Sequence, residues 1–268
     1  MSTRTLLLRL AAPLQAWGDH RGQVERRHTQ PLPTKSGVIG LLAAALGHDR
    51  DTPLGDLAHL QMGVRVDLPG TLLRDFHTAS DYRGKPLPAA KVNARGMQTA
   101  TSPPKYTLTS ERFYLQDAAF LVALEGPAQR IEEAAAAVAN PVYPLSLGRR
   151  SCPPTYPLRL CVADLPLDEA LARQPWLASP YARQVWSHQH GGKKPAQPPI
   201  IHLHAEVEDE AGDVHRTDQP LSAQTSTTRH ATRRVRVLQI PIATGWDPDT
   251  DTQTDQQSGH DPLALLGW

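Results

Sequence analysis

The sequence contains few cysteines and no long apolar run. Cys152 and Cys161 are the only cysteines, too few for a disulfide framework or a cysteine-based zinc site. The longest apolar run, residues 37–47, is well short of the ~20 residues that span a bilayer, and no secretory signal pattern is present. We therefore expect a soluble, cytoplasmic protein with reduced thiols and no membrane contact.

The net charge of the whole sequence is also small. The net charge is +1, so a nucleic-acid-binding surface would require an uneven distribution of charge. Residues 1–112 contain 15 Lys and Arg against 9 Asp and Glu, whereas residues 247–261 contain five Asp and no Lys or Arg. The 268 residues allow one large or two small domains, and we expect two.

The clearest pattern is a helix within residues 33–47. Thr34 can cap its start, and Gly47 supplies the left-handed residue that commonly ends a helix. The apolar positions leave only a thin polar stripe, so most of the helix should be buried against a sheet. Its start is expected to stay exposed, where backbone N–H groups, Lys35 and the Ser36 hydroxyl face an anion.

Two interpretations of this helix start are possible. Lys35-Ser36 matches the last two residues of the nucleotide-binding P-loop motif. Two prolines precede it and no glycine lies at the spacing that the motif requires, which argues against a nucleotide enzyme. A core helix with a solvated lysine is one interpretation. The other is a basic loop that suits a phosphodiester backbone. The basic residues of that loop are Arg21, Arg26, Arg27 and His28.

Apolar periodicity predicts a ferredoxin-like (RRM-like) α+β domain over residues 1–154. The predicted strands are residues 5–10, 60–68, 72–78, 112–115, 118–126 and 142–147, and the predicted helices lie within residues 33–47 and 128–140. The resulting order is β-α-β-β, an insertion, and β-α-β, a ferredoxin-like plan with extra strand material.

Regular patterning stops between residues 79 and 111. Prolines, glycines and basic residues alternate there with few large apolar side chains. So long a segment is uncommon in a compact domain and indicates a protruding hairpin, with a solvated surface loop as the alternative. Its candidate contact residues are Lys85, Lys91, Arg95, Met97 and Lys105.

A smaller β-rich C-terminal region is predicted over residues 155–242, followed by an acidic, flexible tail over residues 243–268. Its predicted elements are strands at residues 158–165, 200–207 and 234–240, a helix at 168–173 and an irregular stretch at 174–199. His202 and His204 share one face of a strand, but no third ligand matches them. We expect no metal site and no cofactor.

Adjacent arginines follow the last predicted strand of the first domain, in Gly148-Arg149-Arg150-Ser151-Cys152-Pro153-Pro154. Two interpretations are equally possible. The two arginines are solvated turn residues, or the flanking glycine and prolines hold them rigidly enough to contact a phosphate.

Four segments together resemble the CasD-type family of type I-E CRISPR Cascade subunits, within the repeat-associated RAMP superfamily. They are Leu-Arg-Leu at 8–10, Pro-Leu-Gln-Ala-Trp-Gly at 13–18, the helix segment 33–47 and Leu-Gly-Arg-Arg-Ser-Cys-Pro at 147–153. The resemblance extends to about residue 154; beyond residue 183 it includes only the basic strand at 234–237. It implies a ferredoxin-like domain whose thumb hairpin is the 79–111 insertion, in a protein that caps the 5′ handle of the CRISPR RNA.

The resemblance also implies a binding site and partners. Phosphate contacts would supply affinity, and bases splayed onto aromatic or apolar side chains would supply recognition. The implied RNA-binding residues are Arg26, Arg27, His28, Thr34, Lys35, Ser36, Gly37, Arg149, Arg150 and Ser151. The implied partners are the CRISPR RNA, the Cascade backbone subunit, which the thumb also contacts, the large subunit and, indirectly, target DNA.

A metal-independent endoribonuclease that processes precursor RNA is the alternative. Some relatives in other CRISPR subtypes cut RNA with a His/Tyr/Lys set, and this sequence offers such residues. They are His20, His28, His77, Tyr82 and Lys35. In the subtype that this sequence resembles, a separate subunit cuts the RNA, so we expect a binding protein that is not an enzyme.

Overall fold

A computed structural model of the chain describes residues 2–18, 26–49, 52–81, 94–95, 106–190, 200–221 and 230–244. Over these residues the protein is a mixed α/β fold built mostly of antiparallel sheets. None of the described helices is both long and apolar enough to cross a membrane.

Thirteen strands and four α-helices lie within the described ranges. The strands are β1 (Thr3–Ala11), β2 (Leu14–Gln15), β3 (Trp17–Gly18), β4 (Arg26–Arg27), β5 (Thr29–Gln30), β6 (Gln61–Leu68), β7 (Thr71–Asp81), β8 (Tyr106–Gln116), β9 (Ala119–Pro127), β10 (Arg159–Ala163), β11 (Ile200–Glu208), β12 (Val214–Pro220) and β13 (His230–Ala243). The helices are α1 (Lys35–Ala45), α2 (Ala128–Ala139), α3 (Leu167–Arg173) and α4 (Pro180–His190), with a 3-10 turn at Gly55–His59.

The main sheet has seven strands in the order β10-β1-β9-β6-β11-β13-β12, and all neighbours are antiparallel. Alternate residues of its central strands enter two separate cores. Leu6, Leu8 and Leu10 of β1 join the core beneath α1 and α2, whereas Leu7 joins the core beneath α3. Each fully buried leucine contributes about 1.5–3 kcal/mol of transfer free energy, so this alternation fixes the register of β1.

A long hairpin of β7 and β8 forms part of a second sheet. Its pairing runs from Thr71 opposite Gln116 to Asp81 opposite Tyr106. β8 also pairs with β2 and, in parallel, with β4. The strand predicted at 72–78 is confirmed, but it belongs to this second sheet and not to the main sheet. Of the candidate residues in the insertion, Lys85, Lys91, Met97 and Lys105 lie outside the described residues, and Arg95 lies in an exposed turn.

The strands after residue 154 complete the same main sheet. β10 pairs with β1, and β11 pairs with β6, so strands from both predicted domains alternate across one sheet. β12 is a strand that the sequence pattern did not indicate, and it forms one edge. The tail beyond Thr244 lies outside the described residues.

Two predicted segments are wrong. Residues 142–147 form no strand, because Pro141 and Pro144 lack N–H donors. The chain there instead follows the end of α1, where the N–H groups of Val142 and Tyr143 donate to the carbonyls of Ala45 (3.0 Å) and Ala44 (3.4 Å). The stretch at 174–199, predicted to be irregular, contains α4.

Candidate nucleic-acid interface

The described part of the predicted basic loop, residues 26–28, lies against the stem of the long hairpin, and Arg21 lies outside the described residues. Arg26 is opposite Glu111 and Arg27 is opposite Arg112 in the pairing of β4 with β8. The Glu111 carboxylate lies 3.3 Å from Arg26 Nε and 3.3 Å from Arg74 Nη2. The side chains of Arg26 and Arg74 are 55% and 62% exposed. Two arginines share one carboxylate, so this surface has a net positive charge.

Aromatic rings lie among these cations. The His28 ring stacks on Phe113, with 4.8 Å between centroids and 15° between planes. The Arg26 guanidinium carbon lies 5.4 Å from the centroid of Phe113. Phe76 is opposite Glu111 in the hairpin and is 58% exposed. Phe113 itself is buried, at 8% exposure, so the exposed rings among these cations are His28 and Phe76, on which single-stranded bases can stack.

Strand alternation places these groups on one face of the hairpin. Arg74 is opposite Phe113 and Phe76 is opposite Glu111, and directly opposed residues of an antiparallel pair share a face. We call Arg26, His28, Arg74, Phe76 and Phe113 the hairpin face. It is a basic and aromatic surface with one carboxylate, Glu111, at its centre.

The arginine turn is held rigidly beside this surface. Gly148 has a φ of +89°, and a Cβ placed there would lie 1.7 Å from the carbonyl oxygen of Ala16. The turn is closed by hydrogen bonds from Leu147 N to Cys152 O (2.8 Å) and from Cys152 N to Arg149 O (2.9 Å). The Cβ of any other residue would clash with that carbonyl, so position 148 requires glycine.

Arg149 and Arg150 have different surroundings within that turn. Arg149 Nη1 donates to Phe113 O at 3.2 Å, and Nη2 donates to Arg27 O at 3.0 Å. Its guanidinium also lies over Tyr114, 4.7 Å from the ring centroid. Arg149 thus holds β4 against β8. Arg150 and Ser151 are exposed, so the turn still offers a cation beside the basic loop.

The start of α1 was predicted to be exposed, and this prediction is wrong. The Lys35 side chain is 1% exposed, and its Nζ lies 2.9 and 2.8 Å from the two carboxylate oxygens of Glu208. The Lys35 backbone N–H donates to Asp218 Oδ2 at 2.7 Å. The anion at the helix start is therefore a carboxylate of the protein itself, and a phosphate would have to displace it.

Burial and ion pairing shift the pKa values in this cluster. Burial lowers the pKa of Lys35 below 10.5, although Glu208 opposes the shift. Burial would raise the pKa of Asp218, but hydrogen bonds and charge from Arg233 and Lys35 hold it below 3.8. Arg233 Nε and Nη2 donate to Asp218 at 2.6 and 3.1 Å.

The neighbouring predicted residues of α1 also have structural contacts. Thr34 is buried and caps the helix as predicted, its Oγ1 accepting from Gly37 N at 3.3 Å. Gly37 lies against Trp17, because an added Cβ would be 3.0 Å from Cε3 of that ring. Ser36 is half-buried. Of the predicted binding residues, the structure therefore brings together those of β4 and the arginine turn at the hairpin.

A cleft of about 340 Å³ lies between the start of α1 and β12. Its charged groups are paired, Arg216 with Glu206 and Arg233 with Asp218. The cleft borders Gln30, on the strand that follows the basic loop. It is a polar extension of the interface with little net charge.

The described residues of the candidate endoribonuclease set are not brought together. His28 lies on the Phe113 ring, whereas His77 is opposite Ser110, three residues along β8 and therefore on the other face of the hairpin. Lys35 is buried with Glu208. His20 and Tyr82 lie outside the described residues. Within the described ranges, no group of three His, Cys, Asp or Glu side chains is arranged to hold a metal.

Comparison with known proteins gives the family. A profile described as "CRISPR-associated protein (Cas_Cas5)" matches residues 5–236. The chain belongs to the Cas5 family. Its relatives include the CRISPR system Cascade subunit CasD of Escherichia coli strain K12, which is 36% identical over 201 residues. That alignment covers 69% of this chain and 84% of the relative.

Two solved structures are also similar to this chain. One, described as "Crystal structure of Cas protein", is 38% identical with a TM-score of 0.61, and the match covers 88% of this chain and 95% of that one. The other, described as "CRISPR RNA-guided surveillance complex", is 30% identical with a TM-score of 0.68, and the match covers 95% and 100% of the two chains. The CasD-type family indicated by the sequence motifs is confirmed.

Proposed function

We propose that this chain is the RNA-binding subunit of a Cascade-type CRISPR surveillance complex and that it caps the 5′ handle of the CRISPR RNA in antiviral defence. The observation that carries the proposal is the hairpin face, where Arg26, Arg74 and His28 surround Phe113 next to exposed Phe76. Exposed cations bind phosphates, and exposed rings stack on splayed bases. The names of the CasD relative and of the surveillance-complex structure agree with this role.

The fold supports a more specific version of the proposal. The strand order β10-β1-β9-β6, with α1 and α2 packed on one face, matches a ferredoxin-like unit. The paired stem of β7 and β8 extends from it at the ends of the predicted insertion. We assign this hairpin as the thumb that contacts RNA and the backbone subunit. The large subunit, and through it target DNA, would then lie on the same assembly, in the cytoplasm.

We further propose that the chain binds its RNA without cutting it. Attack by a ribose 2′-OH requires a general base and a general acid within hydrogen-bond reach of the same phosphate. His28 and His77 lie on opposite faces of the hairpin, and Lys35 is engaged by Glu208. Incubation of precursor repeat RNA with the full chain in EDTA should leave the RNA intact; site-specific cleavage that His28→Ala or His77→Ala abolishes would contradict this.

Salt titration of RNA binding tests the capping role. A short single-stranded handle RNA is titrated against the full chain, with a scrambled strand and duplex DNA as competitors. We expect handle-selective binding, and a loss of about 0.7 in the slope of log K against log salt for each phosphate contact removed in Arg26→Ala and Arg150→Ala. Phe76→Ala should weaken binding with an unchanged slope, because stacking releases no counterion.

Arg173→Ala is the matched control. Arg173 is an exposed arginine on α3, 67% exposed and paired only loosely with Glu169 at 3.5 Å. Its removal should change neither affinity nor slope. If Arg26→Ala and Arg150→Ala behave like this control, RNA does not bind on the hairpin face and the proposal fails.

A further inference from the structure

A second surface lies at one end of the main sheet and shares no residue with the hairpin face. It is an apolar groove of about 910 Å³ between the end of β1, the turn after β6 and helix α4. Its lining includes Ala12, Pro13, Leu68, Trp176, Tyr181 and Trp186. Tyr181 is 74% exposed and Tyr156, at the rim, is 40% exposed. A groove of this size lined by exposed rings is large enough to hold several side chains.

One wall of the groove is preformed. The buried Arg65–Asp67 pair has an Nε–Oδ1 distance of 2.7 Å, and Arg65 also donates to the carbonyls of Leu171, Gln174 and Pro175. The other partners of Asp67 belong to the wall itself. Its carbonyl accepts from the Trp176 indole at 2.9 Å, and its Oδ2 accepts from Leu177 N at 2.6 Å. A buried network of this kind fixes the segment between α3 and α4 before any occupant binds.

The opposite side of the groove carries a cation with spare hydrogen-bonding capacity. The Arg9 guanidinium lies 3.9 Å from the centroid of Tyr156, and its Nη2 donates to Leu177 O at 3.3 Å. Arg9 Nε is buried and has no acceptor among the described residues. The partners of Arg9 among the described residues are a carbonyl and a ring rather than a carboxylate, so an apolar occupant with an adjacent carboxylate matches this groove better than a purely apolar one.

The chain itself contains a segment of that chemistry. Residues 262–268 read Pro-Leu-Ala-Leu-Leu-Gly-Trp and directly follow Asp261, after a stretch rich in Asp. The described chain ends at Thr244, so residues 245–261 form a connection of 17 residues. Fully extended, such a connection reaches about 55 Å.

Sheet register shows that the tail leaves the fold close to the groove. Leu68 is opposite Ala119 at the end of the sheet where β11 begins and β13 ends. β13 is two strands from β6, a lateral distance of about 10 Å. Ile242, near the end of β13, belongs to the same apolar core as Trp176 and Trp186. The last described residue, Thr244, therefore lies at the same end of the sheet as the groove.

We propose that residues 262–268 of this chain dock in the groove between α4 and the end of β1. Leu265 and Trp268 fill the apolar floor beside Trp186, and Asp261 approaches Arg9. The occupant is thus intramolecular rather than a second copy or another subunit.

Hydrogen exchange of the full chain tests the docking. In Leu265→Asp/Trp268→Asp, amide exchange in the peptide covering residues 176–186 should rise about tenfold, because the groove loses its cover. Thr252→Asp/Gln256→Asp adds the same charge to the tail outside the docking segment and should leave that exchange unchanged. Equal exchange in the parent chain and in both variants overturns the proposal.

Crosslinking separates the possible occupants. In a Cys161→Ser background, Ala182→Cys in the groove is combined with Ala264→Cys in the tail and treated with a short bismaleimide. We expect a monomeric, internally linked product. The control pair, Gln129→Cys on α2 with Ala264→Cys, should give none, because α2 lies on the other face of the sheet. A product found only as a dimer, or no product from either pair, overturns the proposal.

Discussion

At the scale of single residues, the start of α1 is held by charges from distant parts of the chain. Lys35 is paired with Glu208, and its backbone N–H is bound by Asp218, which also binds Arg233. Each of these groups is desolvated, so removing one partner leaves the others buried without compensation. The cluster fixes where α1 begins relative to β11 and β12.

Asp218→Asn should destabilise the protein in a pH-dependent way. The variant keeps an acceptor for Lys35 N but loses the charged bond to Arg233, and we expect a loss of about 3 kcal/mol in the free energy of unfolding at pH 7. The folded-state pKa of Asp218 lies below 3.8, so the stability it contributes is present above pH 3.8 and is lost as the pH falls through the lowered pKa.

Urea denaturation of the parent chain and Asp218→Asn between pH 7 and pH 2.5 measures this effect. The difference between their free energies of unfolding should be constant down to about pH 4 and should then shrink. Asp164→Asn, a carboxylate that is 73% exposed, is the control and should give a small difference. A difference for Asp218→Asn that does not change with pH would show that its charge does not stabilise the fold.

Sequence alone indicated the cap and the helix but not these partners. Thr34 and Gly47 mark the ends of α1 by local chemistry, which the spacing of residues reveals. Glu208 and Asp218 lie 173 and 183 residues further along the chain, and nothing local links them to Lys35. A lysine at a helix start therefore resembled an exposed anion-binding group although it is buried.

At the scale of elements, the turn from Leu147 to Cys152 connects the arginines to the hairpin. Gly148 touches the Ala16 carbonyl, and Arg149 bridges β4 and β8. The position of the basic loop therefore depends on a turn that lies over 120 residues away in sequence. The sequence pattern predicted both segments as basic, and the structure supplies the contact between them.

Gly148→Ala should shift this turn. The new Cβ meets a backbone oxygen, and the residue keeps a φ that L-amino acids rarely adopt, so we expect a loss of about 2 kcal/mol or more in the free energy of unfolding. RNA affinity should fall as well, because Arg149 no longer holds β4 in place.

Gly40→Ala is the matched control for that substitution. Gly40 is exposed within α1, and an added Cβ meets nothing within 4 Å. Alanine there should raise stability by about 0.5–1 kcal/mol and leave RNA affinity unchanged. Thermal unfolding and the same RNA titration measure both effects. If Gly148→Ala is as stable as the parent chain, the turn is not as tightly constrained as the geometry implies.

Elements with strong periodicity were predictable, and those without it were not. β1, β6, β9, α1 and α2 follow from apolar spacing, as does the strand at 200–207. β12 reads Val-His-Arg-Thr-Asp-Gln-Pro and α4 reads Pro-Tyr-Ala-Arg-Gln-Val-Trp-Ser-His-Gln-His, and neither has enough apolar residues to show a period. Phe113 was in a predicted strand and Glu111 was the last residue of the predicted insertion, and the face that they share becomes apparent only when β8 is paired with β7.

At the scale of the whole molecule, one sheet runs through both predicted domains. β10 and β11 come from the later part of the chain, yet they flank the strands of the earlier part on either side. The two cores lie on opposite faces of this sheet and share β1 and β9. Loss of either part would leave edges of the sheet and apolar faces exposed.

We therefore expect one cooperative unfolding transition. Tryptophan fluorescence and far-UV circular dichroism should give coincident urea curves, because no core is complete without strands from both parts. A fragment of residues 1–154 should lack a cooperative transition, since it lacks β10, α3 and the partners of Lys35. Two separated transitions in the full chain, or a stably folded fragment, would instead show two independent domains.

The position of Glu208 also matters while the protein is being made. The four strands β10-β1-β9-β6 are complete once Ala163 has been synthesised, but Glu208 follows 45 residues later. At about 5–20 residues per second, the nascent chain spends roughly 2–9 seconds with the outer edge of β6 unpaired and Lys35 without its carboxylate. An unpaired strand edge is a template for pairing with other chains, so we expect slower translation between codons 163 and 208 to lower the yield of native protein.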